Sequence, residues 1–253
     1  MTYCVGILVG EGLVMIADTR TNAGLDNIAT FRKLHVLSVP GERVMAIATA
    51  GNLAITQAVL ALVNEGFDPD GSGETQTLSS MPSMFKAAQL IGRAIREVYR
   101  SDGESLEAQT GGFDVQMLFG GQVNGGRLRL FQIYSAGNFI EATTDTPFLQ
   151  IGEHKYGKPI LDRAITHETD IQDALKIGLV SMDSTMRSNL GVGMPIDVLT
   201  CRTNAITPDL DTRIEAGEPY FHDLRERWSA ALRAAHQAIP RPPYTSGPTH
   251  DAG

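Results

Sequence analysis

An α+β fold, a four-layer αββα sandwich, is what the order of elements along this chain predicts. Three observations carry it. The chain reads strands, two helices, strands, two helices, strand, which is not the regular alternation that builds a parallel doubly wound sheet. The first two strands are apolar almost without interruption, as strands covered on both faces are. Glycine turns separate them, the mark of hairpins.

The elements follow in order. Residues 3–9 (Tyr-Cys-Val-Gly-Ile-Leu-Val) read as a strand, Gly10-Glu11-Gly12 as a turn, and 13–19 as the second strand. A loop at Thr21-Asn22-Ala23-Gly24 precedes two more strands, at 29–37 and 42–50. The period then changes. Asn52 is placed to cap a helix whose Ile55, Val59, Leu62 and Val63 share a face. The polar stretch from Asp68 to Ser80 reads as a loop. Met84, Ala88, Ile91, Ile95 and Val98 mark a second helix ending before Ser101-Asp102-Gly103. Strands return at 113–120, 127–135, 139–143 and 147–151, helices at 158–166 and 170–188, the latter capped by Asp170, and a last strand at 194–202. Residues 204–220 are polar and irregular in pattern. Phe221, Leu224, Trp228, Leu232 and Ala235 then form a helical stripe stopped by Pro240. That stripe either packs on its own domain or meets another subunit, where large aromatics are enriched. The expected organisation is a core domain over 1–203, a helical extension over 204–239 and a Pro-rich, disordered tail over 240–253.

Composition narrows the function. At 253 residues the chain can bury a sizeable core without disulfide or metal staples. Its 21 Lys+Arg against 29 Asp+Glu give a net charge of -8, which argues against a nucleic-acid partner. The two cysteines, Cys4 and Cys201, are too few for a disulfide framework and read as buried thiols. No apolar run is long enough to span a membrane, and no basic-then-apolar leader opens the chain. A cytoplasmic protein without cofactor is expected.

Several near-motifs fail on inspection. Gly152-Glu-His-Lys-Tyr-Gly157-Lys158-Pro159 approaches a phosphate loop, but Pro stands where the magnesium-binding Ser or Thr belongs. Asp68-Pro-Asp70-Gly71-Ser-Gly-Glu74 lacks the remaining ligands of a calcium loop and reads as a solvated turn. His167-Glu168 has no second histidine at helical spacing, and the six histidines form no metal cluster. There is no Gly-x-Ser-x-Gly elbow.

The informative residue is Thr2. Removal of Met1 would leave a hydroxyl nucleophile and a free α-amine on adjacent atoms of one residue. The amine, with a reference pKa of about 7.7–8.0, can accept the hydroxyl proton near neutral pH. A threonine at this position means little alone. Its meaning comes from Asp18, at the end of the second strand, and Lys33, on the strand after it. Strands paired in one sheet would gather all three. A cation beside the hydroxyl lowers its pKa and keeps the neighbouring amine neutral, and a carboxylate holds that cation in place. Arg20 is expected to brace the turn through an ion pair with Asp18.

With these residues in view, a resemblance can be stated. Thr2-Tyr-Cys-Val-Gly-Ile, Ala17-Asp-Thr-Arg-Thr-Asn-Ala-Gly24 and Asn27-Ile-Ala-Thr-Phe-Arg-Lys33 resemble proteasome-type β-subunits. Gly152-Glu-His-Lys-Tyr-Gly-Lys-Pro-Ile-Leu-Asp162 and Asp183-Ser-Thr-Met-Arg-Ser-Asn189 are more similar to Anbu, the bacterial ancestral β-subunit family, than to the proteasome proper. The likeness spans 2–203.

The resemblance implies an N-terminal nucleophile (Ntn) hydrolase: a threonine peptidase with Thr2, Asp18 and Lys33 catalytic and no metal or cofactor. It implies that Gly51, in Thr49-Ala50-Gly51, donates its N–H to the oxyanion. Thr21 and Gly51 would pair a peptide substrate as an added strand. Asp183 and Ser188 match a supporting element only approximately. A lysine or histidine of Gly152–Lys155 stands where proteasome subunits carry a serine, and the usual cleaved propeptide is missing. The resemblance further implies self-assembly into a ring or open helical spiral, with peptide-ligase-like and transglutaminase-like proteins as candidate partners. Two other readings remain open: a non-proteolytic scaffold subunit, and an Ntn amidase acting on a small non-protein amide.

Overall fold

The computed structural model of the chain describes residues 1–22, 28–110 and 112–245. Two five-stranded antiparallel sheets are stacked with helices outside them. The first has the order β10-β1-β2-β11-β12: Phe148–Gly152, Tyr3–Val9, Gly12–Asp18, Ile196–Arg202 and Leu210–Ile214. The second has the order β5-β6-β7-β8-β9: Leu34–Val39, Arg43–Gly51, Val115–Val123, Arg129–Ile133 and Phe139–Glu141. A separate hairpin, β3 (Arg20–Asn22) with β4 (Ile28–Thr30), leaves the end of β2.

Three buried layers result. Cys4, Leu13, Met15 and Ala17 of the first sheet meet Ala46, Ala48, Leu118 and Leu130 of the second. The far face of the second sheet, through Met45, Ile47, Met117, Phe119 and Phe131, packs on two helices. These are α1 (Leu53–Glu65), which contributes Ile55, Val59 and Val63, and α2 (Met84–Thr110), which contributes Ala88, Ile91 and Ile95. The outer face of the first sheet is covered by α4 (Ile171–Ser188), with α3 (Lys158–Ala164) beside it. The fold is thus the expected αββα sandwich. Burial on both faces is why β1 and β2 carry almost no polar residue until Asp18.

The caps are those their sequences suggest. The Asn52 side chain accepts the N–H groups of Ala54 and Ile55, and the Asp170 side chain those of Gln172 and Asp173. The Asp173 N–H, with that of Gln172, holds the Asp170 carboxyl below the usual range. Asp68 folds its turn by accepting the N–H groups of Asp70, Ser72 and Gly73. Asp70 is taken by Arg93 of α2. Asp68 and Asp70 therefore serve the chain itself. Both cysteines are buried free thiols. Burial pushes Cys4 well up and Cys201 to about 11.

Four expectations are corrected. The strand expected at 29–37 is split: β4 belongs to the hairpin and β5 to the second sheet, and Phe31–Lys33 form the crossing. The Phe31 N–H still donates to the Thr19 carbonyl at 2.9 Å, a last rung of the hairpin, before the chain leaves for the second sheet. Helix α2 does not stop before Ser101 but continues to Thr110. Ser101 Oγ donates to the Val98 carbonyl and stays inside the helix. One interior glycine costs only about 1 kcal/mol against alanine. Residues 204–220 are not wholly irregular, because they contain β12. As a half-buried edge strand it carries charged residues, and Arg213 grips Asp197 of β11 through two hydrogen bonds of 2.7 and 2.9 Å. The fourth correction concerns Arg20, which donates to the Leu190 carbonyl at 2.9 Å rather than bracing Asp18.

The chain divides into two compact units, Met1–Ala216 and Gly217–Gly253. In the second, α5 (Pro219–Ala238) starts at a Glu218 cap and ends before Pro240. Phe221 and Leu224 are buried, Trp228 is half-buried, and Leu232 and Ile239 are exposed. A short 3-10 turn occupies Pro243–Thr245. The loop expected at Thr21–Gly24 lies outside the described residues from Ala23 on, and so does the tail from residue 246. No helix among the described residues is long and apolar enough to cross a membrane.

The second sheet's helical face is the stability test. Phe131 is fully buried among Phe119, Phe139 and the Arg129 guanidinium. Phe131→Ala should cost about 3–5 kcal/mol by urea unfolding, and Asn52→Ala about 1 kcal/mol.

Candidate active site

Strand pairing fixes where Thr2 lies. In the β1–β2 register Cys4 faces Ala17, so the start of β1 meets the end of β2. There the Tyr3 N–H donates to Asp18 Oδ1 at 3.0 Å. Thr2 precedes β1 by one residue and is itself buried. Lys33 arrives from the crossing between the hairpin and β5. Its carbonyl accepts the Thr49 N–H at 3.0 Å, which pins the crossing to β6. The three residues thus meet, but not within one sheet as the sequence suggested. Thr2 and Asp18 come from the first sheet and Lys33 from the approach to the second.

The Lys33 ammonium has three acceptors: Asp18 Oδ1 at 2.8 Å, the Arg20 carbonyl at 2.6 Å and the Met1 carbonyl at 3.5 Å. Asp18 Oδ2 also accepts the Gly193 N–H at 3.3 Å. Asp18 is 0% exposed and Lys33 5%. Burial pushes the Asp18 carboxyl above its usual range. The Lys33 charge and the N–H donors of Tyr3 and Gly193 oppose that push. The Met1 carbonyl carbon is bonded to Thr2 N, so Lys33 stands beside the atom that Met1 removal would turn into an amine.

A second set of contacts holds Thr2 from β10. Gly152 lies opposite Tyr3, and its φ of 76° is in the left-handed region. A side chain there would begin 2.1 Å from the Thr2 carbonyl oxygen. The next residue, Glu153, donates its N–H to that oxygen at 2.7 Å. Beneath them the Tyr3 hydroxyl is fixed by Ser181 Oγ of α4 at 2.7 Å and by Gln150 Nε2 at 2.5 Å. Burial pushes this phenol upward. Gly157 leaves no room for a side chain beside the Ser181 and Tyr3 hydroxyls.

The other expected residues fall as follows. Gly51 ends β6 with φ 105°, and a side chain there would start 2.4 Å from the Asp114 carbonyl oxygen. Thr21 lies on β3 opposite Ala29. Asp183 is buried on α4 and receives Arg187 Nε at 3.0 Å. Ser188 closes α4 and is exposed. Within Gly152–Lys155, His154 and Lys155 are exposed, and Glu153 is the residue tied to Thr2. Sequence reasoning missed Glu153, Asn189, Gly193, Tyr3 and Ser181. The close glycines Gly191 and Gly193 after α4 were the one available sign that backbone there approaches something tightly. A cleft of about 500 Å3 along β10 is lined by Gln116, Gln132, Phe148, Gln150 and Lys158 among others, and Thr2 is not part of it.

The buried pair has a measurable consequence. Lys33→Met should cost about 3–5 kcal/mol in chemical unfolding, because Asp18 is left buried without its cation. Asp18→Asn combined with Lys33→Met should recover part of that loss. Additive losses would mean that the two charges are not coupled.

No protein-family profile and no curated protein matches the chain. Solved structures do. The chain is 48% identical to an Anbu (Gly-1) mutant from Hyphomicrobium sp. strain MC1, covering 95% of this chain and 99% of that one, with a TM-score of 0.86. It is 43% identical to Anbu (ancestral beta-subunit) from Yersinia bercovieri, covering 94% and 97%, also at 0.86. It is 43% identical to the subunit in a helical assembly of the Anbu complex from Pseudomonas aeruginosa, covering 97% and 100%, at 0.87. With identities this high over nearly the whole of both chains, the chain belongs to the Anbu family of proteasome-type β-subunits.

Proposed function

We propose that this chain is a threonine-type peptidase that hydrolyses amide bonds through Thr2 once Met1 is removed. The observation that carries the reading is the buried Asp18–Lys33 pair beside the Met1–Thr2 peptide bond. In this scheme the neutral Thr2 amine takes the proton of Oγ1 as Oγ1 bonds to the substrate carbonyl carbon. The Gly51 N–H stabilises the oxyanion, an effect worth roughly 3–4 kcal/mol for a single donor. The ammonium returns its proton to the leaving amine as the C–N bond breaks, leaving an ester on Thr2. Water, activated by the same amine, then hydrolyses that ester. Lys33 lowers the cost of charge on Oγ1 and keeps the amine neutral at rest. Thr21 and Gly51 pair the substrate backbone as an extended strand.

Self-association is part of this reading. The Anbu complex of Pseudomonas aeruginosa forms a helical assembly. Here α5 exposes Leu232 (51%), and Ile239 (69%) just after its end is exposed as well, apolar side chains suited to contact between subunits. The same side chains support the second reading, a scaffold subunit without chemistry. An amidase acting on a small non-protein amide shares every step above and differs only in substrate.

Exposure to a peptide epoxyketone should add its mass to Thr2 in intact-protein and peptide mass spectrometry, and Thr2→Ala should abolish both adduct and amide cleavage. A wild-type protein lacking Met1 that forms no adduct, and cleaves no better than Thr2→Ala, would decide for the scaffold. Deleting residues 221–253 should lower the number of subunits per particle in native mass spectrometry. An unchanged number of subunits removes α5 from assembly.

A further inference from the structure

Glu153 has no part in the hydrolytic scheme above, yet it is held at both its backbone and its side chain. Its N–H donates to the Thr2 carbonyl at 2.7 Å. Its carboxylate, with a side chain only 12% exposed, accepts Asn189 Nδ2 at 3.1 Å. Asn189 Oδ1 in turn accepts the Gly191 N–H at 2.9 Å, and a side chain on Gly191 would start 2.5 Å from Met1 Cβ. The turn after β10 and the segment after α4 therefore both reach the chain start, one at the Thr2 carbonyl and the other at the Met1 side chain.

Removing Met1 puts a primary amine where a neutral amide stood. When that amine takes the hydroxyl proton, it becomes a cation beside the Lys33 cation. Such a site gains from a nearby anion. Asp18 already accepts from Lys33, Tyr3 and Gly193. We propose that Glu153, oriented by Asn189, is a positioning residue for the Thr2 α-amine. Its carboxylate orients the amine and supports its positive charge while it carries the proton. The proton-carrying part rests on the hydrolase reading; the electrostatic part does not.

The surrounding charges are consistent with this assignment. Lys33 and Arg20 reach the region from the crossing and from β3. Lys155 lies 3.8 Å from Glu153 Oε1 on the exposed side of the turn, and α4 contributes the Asp183–Arg187 pair. Asn189 fixes one carboxylate oxygen without neutralising it, because an amide carries no charge.

The test uses full-length protein produced with Thr2 at its terminus, by cleaving an N-terminal fusion. Its amine is labelled by reductive methylation with 13C and titrated by NMR. An anion beside an amine raises the amine's pKa, so Glu153→Gln should lower the titration midpoint by roughly 0.5–1 pH unit. Asn189→Ala should move it in the same direction by less. The acid limb of Thr2 adduct formation should move to lower pH along with it, which a merely structural role for Glu153 would not produce. An unchanged midpoint in folded Glu153→Gln overturns the proposal. If that variant does not fold, an unchanged midpoint in Asn189→Ala does so. A wild-type protein that forms no adduct overturns the hydrolase reading instead, and the amine titration still decides on Glu153.

Discussion

One ammonium, taken out of water at the seam between two sheets, is the constraint on which the rest of this structure depends. A buried lysine is tolerated only when its charge is paired and its donors are used. Lys33 meets both conditions, with three N–H groups and three acceptors on Asp18, Arg20 and Met1. Those acceptors come from β2, from the start of the hairpin and from the chain start. The ion pair therefore ties the crossing before β5 to the place where β1 and β2 already bring the chain start, Asp18 and Arg20 together. Of the three contacts the one to Met1 is the longest, and it is the one that processing would break. The donor then released lies beside Thr2, so in the hydrolase reading the same lysine serves first the fold and then the nucleophile.

Thr2 is held as firmly as the lysine beside it. Tyr3 contributes twice: its N–H to Asp18 and its hydroxyl to Ser181 and Gln150. Gly152 and Glu153 clasp the Thr2 carbonyl from the neighbouring strand. These contacts involve the backbone or a side chain one residue away, which in the hydrolase reading leaves the threonine side chain to chemistry. A reacting group gains most when its supports are rigid and are not themselves consumed.

The layered fold was legible because burial writes itself into local pattern. β1 and β2 could not be covered on both faces and remain polar, and α1 and α4 announce themselves through Asn52 and Asp170. What escaped was set by tertiary contact. β12 is half-buried at a sheet edge, where Asp211 and Arg213 cost nothing, so its alternation stays faint. The split of 29–37 depends on its two halves taking different partners, β3 for the first and β6 for the second, a choice that no propensity encodes. The site divides in the same way. Asp18 and Lys33 stand out as charges flanked by apolar strands. Glu153 does not, because a glutamate in a turn reads as solvated until Asn189, 36 residues later, is seen to reach it.

The departure from the proteasome pattern at Gly152–Lys155 takes on a definite chemical meaning when the turn's geometry is considered. The backbone at 152–153 is committed to the Thr2 carbonyl, so only one side chain of this segment can be turned inward beside it. His154 and Lys155 fall on the exposed side, where solvent and salt screen the lysine charge. Had a lysine taken the inward place, a second cation would have joined Lys33 and opposed protonation of the amine still further. With Glu153 inward the balance runs the other way in the proposed scheme, because a second anion is added to a site where Asp18 already pairs with Lys33. An amine between Lys33 and Glu153 is pulled in opposite directions, which keeps it able both to take up a proton and to give it back. A hydroxyl in that place would supply hydrogen bonds but no such charge balance. In the hydrolase reading, the substitution therefore changes how the base is tuned and does not by itself remove the base.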